Sequence, residues 1–271
     1  MDAIDRPSDC APVAALLYAP SQCPSSEAII AAAANGAGFA VTHGAHDSGI
    51  DASGIDASGI DASGGGAAVP AGKAGWLELL KDGLTFDLKG LSGGNPVPQP
   101  DVAAHLGVSA ADLQDKAVLT LAPGPHLAGA ERLLPVIRVT AALLRDLVRM
   151  GAASAVVWLP ARLAVRTDLF EKAVSPWLEG GPFPTPALVA LHRETSGKLR
   201  TEGLKFLINQ ELIIESDSGG ASVALPKVAM RLVDWLVAHG PLSGPTEAVL
   251  AGTGAVFLEV EGGGPILARC D

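Results

Sequence analysis

Between Ser48 and Ser63 the chain spells Ser-Gly-Ile-Asp-Ala three times in succession, and Gly64-Gly65-Gly66 follow at once. A five-residue period with one Ile per unit buries too little apolar surface to offset the entropy of ordering it. The tract therefore reads as the heart of a flexible insertion at about residues 44–74. It constrains the fold by subtraction, because the core must be built from what lies on either side. Deleting Ser48 to Gly66 is expected to leave the melting temperature nearly unchanged, since closure entropy varies slowly with loop length. Differential scanning calorimetry checks this, and a loss of several degrees would show that the tract is packed.

The remainder is rich enough to fold. A chain of 27.4 kDa buries about 70% of its unfolded surface. Hydrophobic residues make up 48% of it and aromatics only 4%, so the core must be mainly aliphatic. Charged residues, at 18%, fall below the usual share of about 25%. The net charge of −10 opposes a phosphate backbone, and no basic stripe with interleaved aromatics offsets it, so no nucleic-acid partner is expected. The nearest approach is Arg132, Arg138, Arg145 and Arg149 on one predicted helix. The last three share a face with Asp146 in their midst, which reads as a solvated outer surface.

Three cysteines, Cys10, Cys23 and Cys270, have no C-x-x-C spacing and imply neither a disulfide framework nor a zinc site. A Cys10–Cys23 bridge is open to the chain but not required at this length. The acidic start Met1-Asp2-Ala3-Ile4-Asp5 lacks the pattern of a secretory signal. Apolar runs stop well short of the roughly 18 residues of a membrane span. The expectation is a cytoplasmic protein with no membrane partner and no cofactor.

Local patterns give the elements. Residues 13–19 are an apolar run closed by Pro20, a buried strand. Ser25 or Ser26 caps a helix through Ala34, with Asn35-Gly36 as its exit. Residues 38–43 suit a second strand. Residues 76–80 and 84–89, joined by Lys81-Asp82-Gly83, read as a hairpin. An irregular loop spans Gly90 to Pro100, and residues 118–122 form the next strand. A long helix then runs to Met150, with Pro135 in its first turn or at a kink. Strands are predicted at 155–159, 187–193 and 211–215, and helices at 167–178 and 225–239. A closing hairpin pairs 255–260 with 265–268. Paired strands between single helices predict an α+β fold, a mixed and mainly antiparallel sheet with helices on one face. Residues 1–271 then form one α+β unit interrupted at 44–74. Two ferredoxin-like halves, at 11–122 and 123–271, are compatible with this order.

Chemical motifs fare less well. Gly90-Leu91-Ser92-Gly93-Gly94 has the letters of a hydrolase elbow, but Pro96 and Pro98 oppose the helix that must follow. Gly66 to Lys73 misses the phosphate-loop spacing and its Ser or Thr. His43, His46 and Asp47 sit at the mouth of the insertion, where a rigid metal scaffold is not expected. His126 follows a strand, and Glu131 reaches it only if the start of the helix folds back. His239 lies on an apolar helical stripe, and Trp158, Trp177 and Trp235 read as anchors. No catalytic residue and no metal ligand is assigned.

Several stretches resemble a bacterial family known as domain-of-unknown-function family 4261. They are the strand at Ala117–Ala122, the helix ending before Gly151, and the Ala-Val-x-Trp strand at 155–158. Thr201-Glu202-Gly203-Leu204 and Glu211-Leu212-Ile213-Ile214 continue the similarity. It spans about residues 75–270 and departs in the insertion. The family has no established reaction, so the resemblance carries over no catalytic residue. The first functional expectation is a non-enzymatic accessory or protein-interaction module with a protein partner. The alternative is an enzyme or small-molecule binder with a site assembled from dispersed loop residues. His126, Trp158, Arg162, Arg166, Thr246 and Glu247 are the candidates for it, as each falls at or near an element end. The oligomeric state has no signature in the sequence.

Overall fold

The computed structural model describes residues 10–46, 74–216, 225–250, 254–260 and 263–270. The Ser-Gly-Ile-Asp-Ala repeat and the Gly66–Lys73 stretch lie outside the described residues.

The N-terminal apolar run forms β1 (Ala14–Tyr18), and α1 (Ser26–Ala34) follows. The Ser25 hydroxyl accepts the Ala28 N–H at 3.3 Å, and Gly36 takes the left-handed exit at φ 82°. Next come β2 (Ala40–His46), β3 (Ala74–Lys81) and β4 (Leu84–Lys89). The predicted insertion therefore gives up its two ends to strands. Asp82 and Gly83, both at positive φ, make the hairpin turn. Then follow β5 (Ala104–Leu106), β6 (Ala117–Pro123), α2 (Leu134–Arg149), β7 (Ala153–Trp158), β8 (Leu163–Arg166) and α3 (Thr167–Leu178). The last third carries α4 (Thr185–Leu188), β9 (Ala190–Arg193), β10 (Leu199–Glu202), α5 (Leu204–Ile208) and β11 (Leu212–Ser216). It ends with α6 (Leu225–His239), β12 (Thr246–Leu250), β13 (Gly254–Val260) and β14 (Ile266–Cys270).

The fold is α+β with two mixed, mostly antiparallel sheets. The first has the order β2-β3-β4-β6-β1-β7-β8-β5 and the second β12-β13-β14-β11-β10-β9. Among the described residues only β5·β8 and β11·β14 pair in parallel. β1 is buried along its whole length, with Leu16 opposite both Leu119 and Val156. The order β7-β1-β6 with β2 beyond, crossed by α1 and α2, is that of a ferredoxin-like unit into which the β3–β4 hairpin is inserted. Among the described residues the second sheet lacks that pair of crossovers. The strands of the first sheet run on to Arg166, so the sheets part within residues 167–189 and not at 122/123.

One continuous core joins the sheets through the helices. It includes Leu16 and Leu119 of the first sheet, Leu143 and Leu147 of α2, Phe170 of α3, Leu232 of α6 and Leu258 of the second sheet. On the opposite face of the first sheet, Ala15, Leu17, Val118 and Val157 are covered by Val97, Val102, Val108 and Leu113. The irregular loop after β4 thus serves as a lining for a strand that has no exposed side.

The arginine face of α2 is solvated only at its end, where the exposed Arg149 pairs with Glu171 at 2.7 Å. Asp146 is 7% exposed and pairs with Lys81 at 2.8 Å and Arg145 at 3.2 Å. Lys81 also donates to the Gly38 carbonyl at 2.7 Å. Arg138 donates to the Leu178 carbonyl and lies over the Trp177 ring. The hairpin and α3 pack on this side of the helix, so the charges of Arg138, Arg145 and Asp146 are used inside the protein. Arg132 precedes α2 and belongs to another site.

Candidate functional site

The site is built around the turn that follows β7. Trp158 ends the strand with 1% of its surface exposed, and Pro160 shapes the turn Leu159–Ala161. The Leu159 N–H donates to the Val13 carbonyl at 3.1 Å, which fixes the turn against the residue before β1. Arg162 then takes the left-handed conformation, at φ 46°. Its carbonyl accepts from the Ala103 and Ala104 N–H groups, so the turn also starts the pairing of β5.

Phe206 is brought to this turn by a short helix that does not cap itself. One Glu211 carboxylate oxygen accepts the Gly203 N–H at 2.9 Å and the Lys205 N–H at 3.1 Å. The other accepts the Thr201 hydroxyl, whose oxygen in turn accepts the Leu212 N–H at 2.8 Å. A carboxylate from downstream thus satisfies the Gly203 and Lys205 N–H groups at the start of α5. Gly203 sits at φ 98°, and a Cβ there would lie 2.6 Å from the Ala161 Cβ. Phe206 then meets Trp158 edge to face, with ring centroids 6.0 Å apart.

A cleft of about 450 Å³ opens beside this pair. Its walls are largely apolar, with Pro12, Val13, Leu159, Pro160 and Phe206 among them, and Glu131 and Arg132 supply the charge. Arg132 lies over the Phe206 ring at 5.5 Å and donates to the Asn209 side chain at 3.2 Å. Glu131 Oε2 is buried and meets no hydrogen-bond partner among the described residues. The same is true of Trp158 Nε1. A buried polar atom without a partner costs about 1–3 kcal/mol.

A chain of charges runs along the other side of the turn. Arg162 pairs with Asp101 at 2.7 Å and Glu202 at 3.5 Å, and Glu202 meets His192 Nε2 at 2.9 Å. The hydrogen bond that Arg162 donates to Asp101 pushes its pKa further up, with Glu202 adding to it. These groups are at least partly exposed and contribute little to stability.

Of the six candidates read from the sequence, only Trp158 and Arg162 flank this turn. His126 is exposed, and its Nδ1 lies 3.3 Å from the Thr85 hydroxyl rather than beside Glu131. Arg166 is occupied with Asp168 and holds that carboxyl below the usual carboxylate range. Thr246 donates to the Gly244 carbonyl, and Glu247 lies opposite Phe257 in the second sheet, so both are remote from the cleft in the fold. His43 and His46 fall on β2, but their side chains are outside the described residues, as is Asp47. Ser92 lies in a turn with no helix after it, its N–H bonded to the Pro24 carbonyl. Phe206, Glu202 and His192 were not legible as site residues.

Among the described residues no group of three His, Cys, Asp or Glu side chains is placed to hold a metal, and no helix is long and apolar enough to cross a membrane. Fold and cleft together define an α+β protein with an aromatic-floored cleft between loop segments. No family model matches the chain, and comparison with curated proteins and with solved structures likewise finds no match.

Proposed function

We propose that the chain is a small-molecule-binding protein whose site is assembled from dispersed loop residues, at the cleft of Glu131, Arg132 and Phe206. The observation that carries this reading is the buried Glu131 oxygen without a partner in an apolar-walled cleft. Its setting in the cytoplasm is part of the same proposal. Cys10, Cys23 and Cys270 are not joined in disulfides, which suits a reducing compartment. So is kinship with domain-of-unknown-function family 4261, whose resembling stretches at 201–204 and 211–214 hold α5 and hence Phe206 in place.

A fragment panel screened on ¹⁵N-labelled protein tests the binding reading. Ligands of the cleft are expected to move the Trp158 indole resonance, assigned by its loss in Trp158→Phe. A panel that leaves this resonance unmoved would remove the reading.

A protein-interaction module is the second reading, favoured by a different surface. Val249 is 72% exposed and Phe257 52% exposed. They are diagonal neighbours on the outer face of the edge pair β12–β13. A native partner lost on Val249→Ser/Phe257→Ser, with the melting temperature kept, would support it. Retention of that partner by the double variant would count against it.

A further inference from the structure

The cleft carries two opposite charges and an apolar wall, and that combination selects a ligand class. Glu131 offers a buried carboxylate oxygen in need of a donor. Arg132, at the exposed rim, spends one guanidinium nitrogen on Asn209 and rests on Phe206. A simple anion entering the cleft meets Glu131, and a simple cation meets Arg132. Either alone leaves one like charge opposed in a partly desolvated space. A zwitterion satisfies both. Its ammonium pairs with the Glu131 carboxylate on the cleft wall, and its carboxylate takes the open donors of Arg132. The walls formed by Pro12, Val13, Leu159, Pro160 and Phe206 then ask for an apolar body between or beside the charges.

Resting on the binding reading above, we propose that this cleft binds a small zwitterion with an apolar body, an α-amino acid or short peptide bearing free ammonium and carboxylate groups. Phe206, packed edge to face on the buried Trp158, forms its aromatic border. Arg132 is already stacked before any ligand arrives, so its planar fork is partly ordered for the carboxylate.

The test uses the full-length protein, with isothermal titration calorimetry and the Trp158 indole resonance as readouts. L-Leucine and L-leucyl-L-leucine are the probes, and their comparison separates a free amino acid from a peptide. N-Acetyl-L-leucine removes the ammonium and L-leucinamide removes the carboxylate. At least one zwitterion is expected to bind and shift the Trp158 resonance, with each blocked form weaker by about tenfold or more. Glu131→Gln, which keeps shape and removes charge, is expected to weaken the zwitterion by a similar factor while leaving the melting temperature near that of the parent. Equal binding of N-acetyl-L-leucine, or full affinity in Glu131→Gln, overturns the zwitterion proposal. If neither zwitterion binds but another fragment moves the Trp158 resonance, this proposal falls and the binding reading stands. If no fragment moves it, both fall.

Discussion

Asp146→Ala is expected to lower stability by about 3–5 kcal/mol, because breaking a buried ion pair leaves its partners charged and unpaired. Asp146 is 7% exposed and the Lys81 side chain 10%, so water cannot replace what the carboxylate provides. Arg145 loses its partner in the same step. At about 2–4 °C per kcal/mol for a chain near this size, the melting temperature should fall by roughly 10 °C. The double variant Asp146→Ala/Lys81→Met separates the causes. Removing both charges replaces an orphaned ammonium with an apolar side chain, and a large part of the loss should return. A single variant that melts within about 2 °C of the parent would refute the internal role of this pair.

Gly203→Ala should cost about 2–5 kcal/mol, the sum of a left-handed φ forced on a residue with a Cβ and a clash with a packed neighbour. The added methyl meets Ala161 Cβ at 2.6 Å and Ala161 Cα at 2.9 Å, and these atoms belong to the turn that forms the cleft. Gly36 is the control. It has a similar φ of 82°, yet nothing lies within 4 Å of its Cβ position, so Gly36→Ala should show only the conformational cost of about 1 kcal/mol. Thermal melts of the two variants side by side give the contact contribution. Equal losses would mean that close packing against Ala161 contributes nothing. The Gly203 variant should also disturb Phe206, three residues on, and blunt any ligand response of the Trp158 resonance.

What the sequence disclosed was local chemistry. The Ser25 cap, the Asp82-Gly83 turn and the Leu225 to His239 helix each have their cause within a few residues, and each is found where its signal lies. Elements whose cause is distant were missed. β8 is four residues pressed between a turn and a helix, and its partner strand β5 is itself only three residues long, near residue 105. α5 is an apolar run of five, which periodicity cannot tell from a strand, and its cap comes from Glu211, downstream instead of upstream. The same logic explains Asp146. Among arginines on a helix it looks solvated, and only the packing of Lys81 from the β3–β4 hairpin and of Gly38 buries it. Trp158 and Arg162 were legible only as element-end residues, and both flank the turn beside the cleft. Glu131 was weighed only as a partner for His126, because nothing in sequence links it to Phe206.

The place of β1 has a consequence for how the chain is made. Leu16 is flanked by Leu119 on one side and Val156 on the other, so neither neighbour exists when the strand leaves the ribosome. At a synthesis rate of about 5–20 residues per second, the wait for the second neighbour is on the order of 10 s. During that time five residues destined for the deepest part of the core stand unpaired on both edges. An early strand thus waits for partners made more than a hundred residues later, and the yield in a cell should depend on whatever shields that strand in the interval.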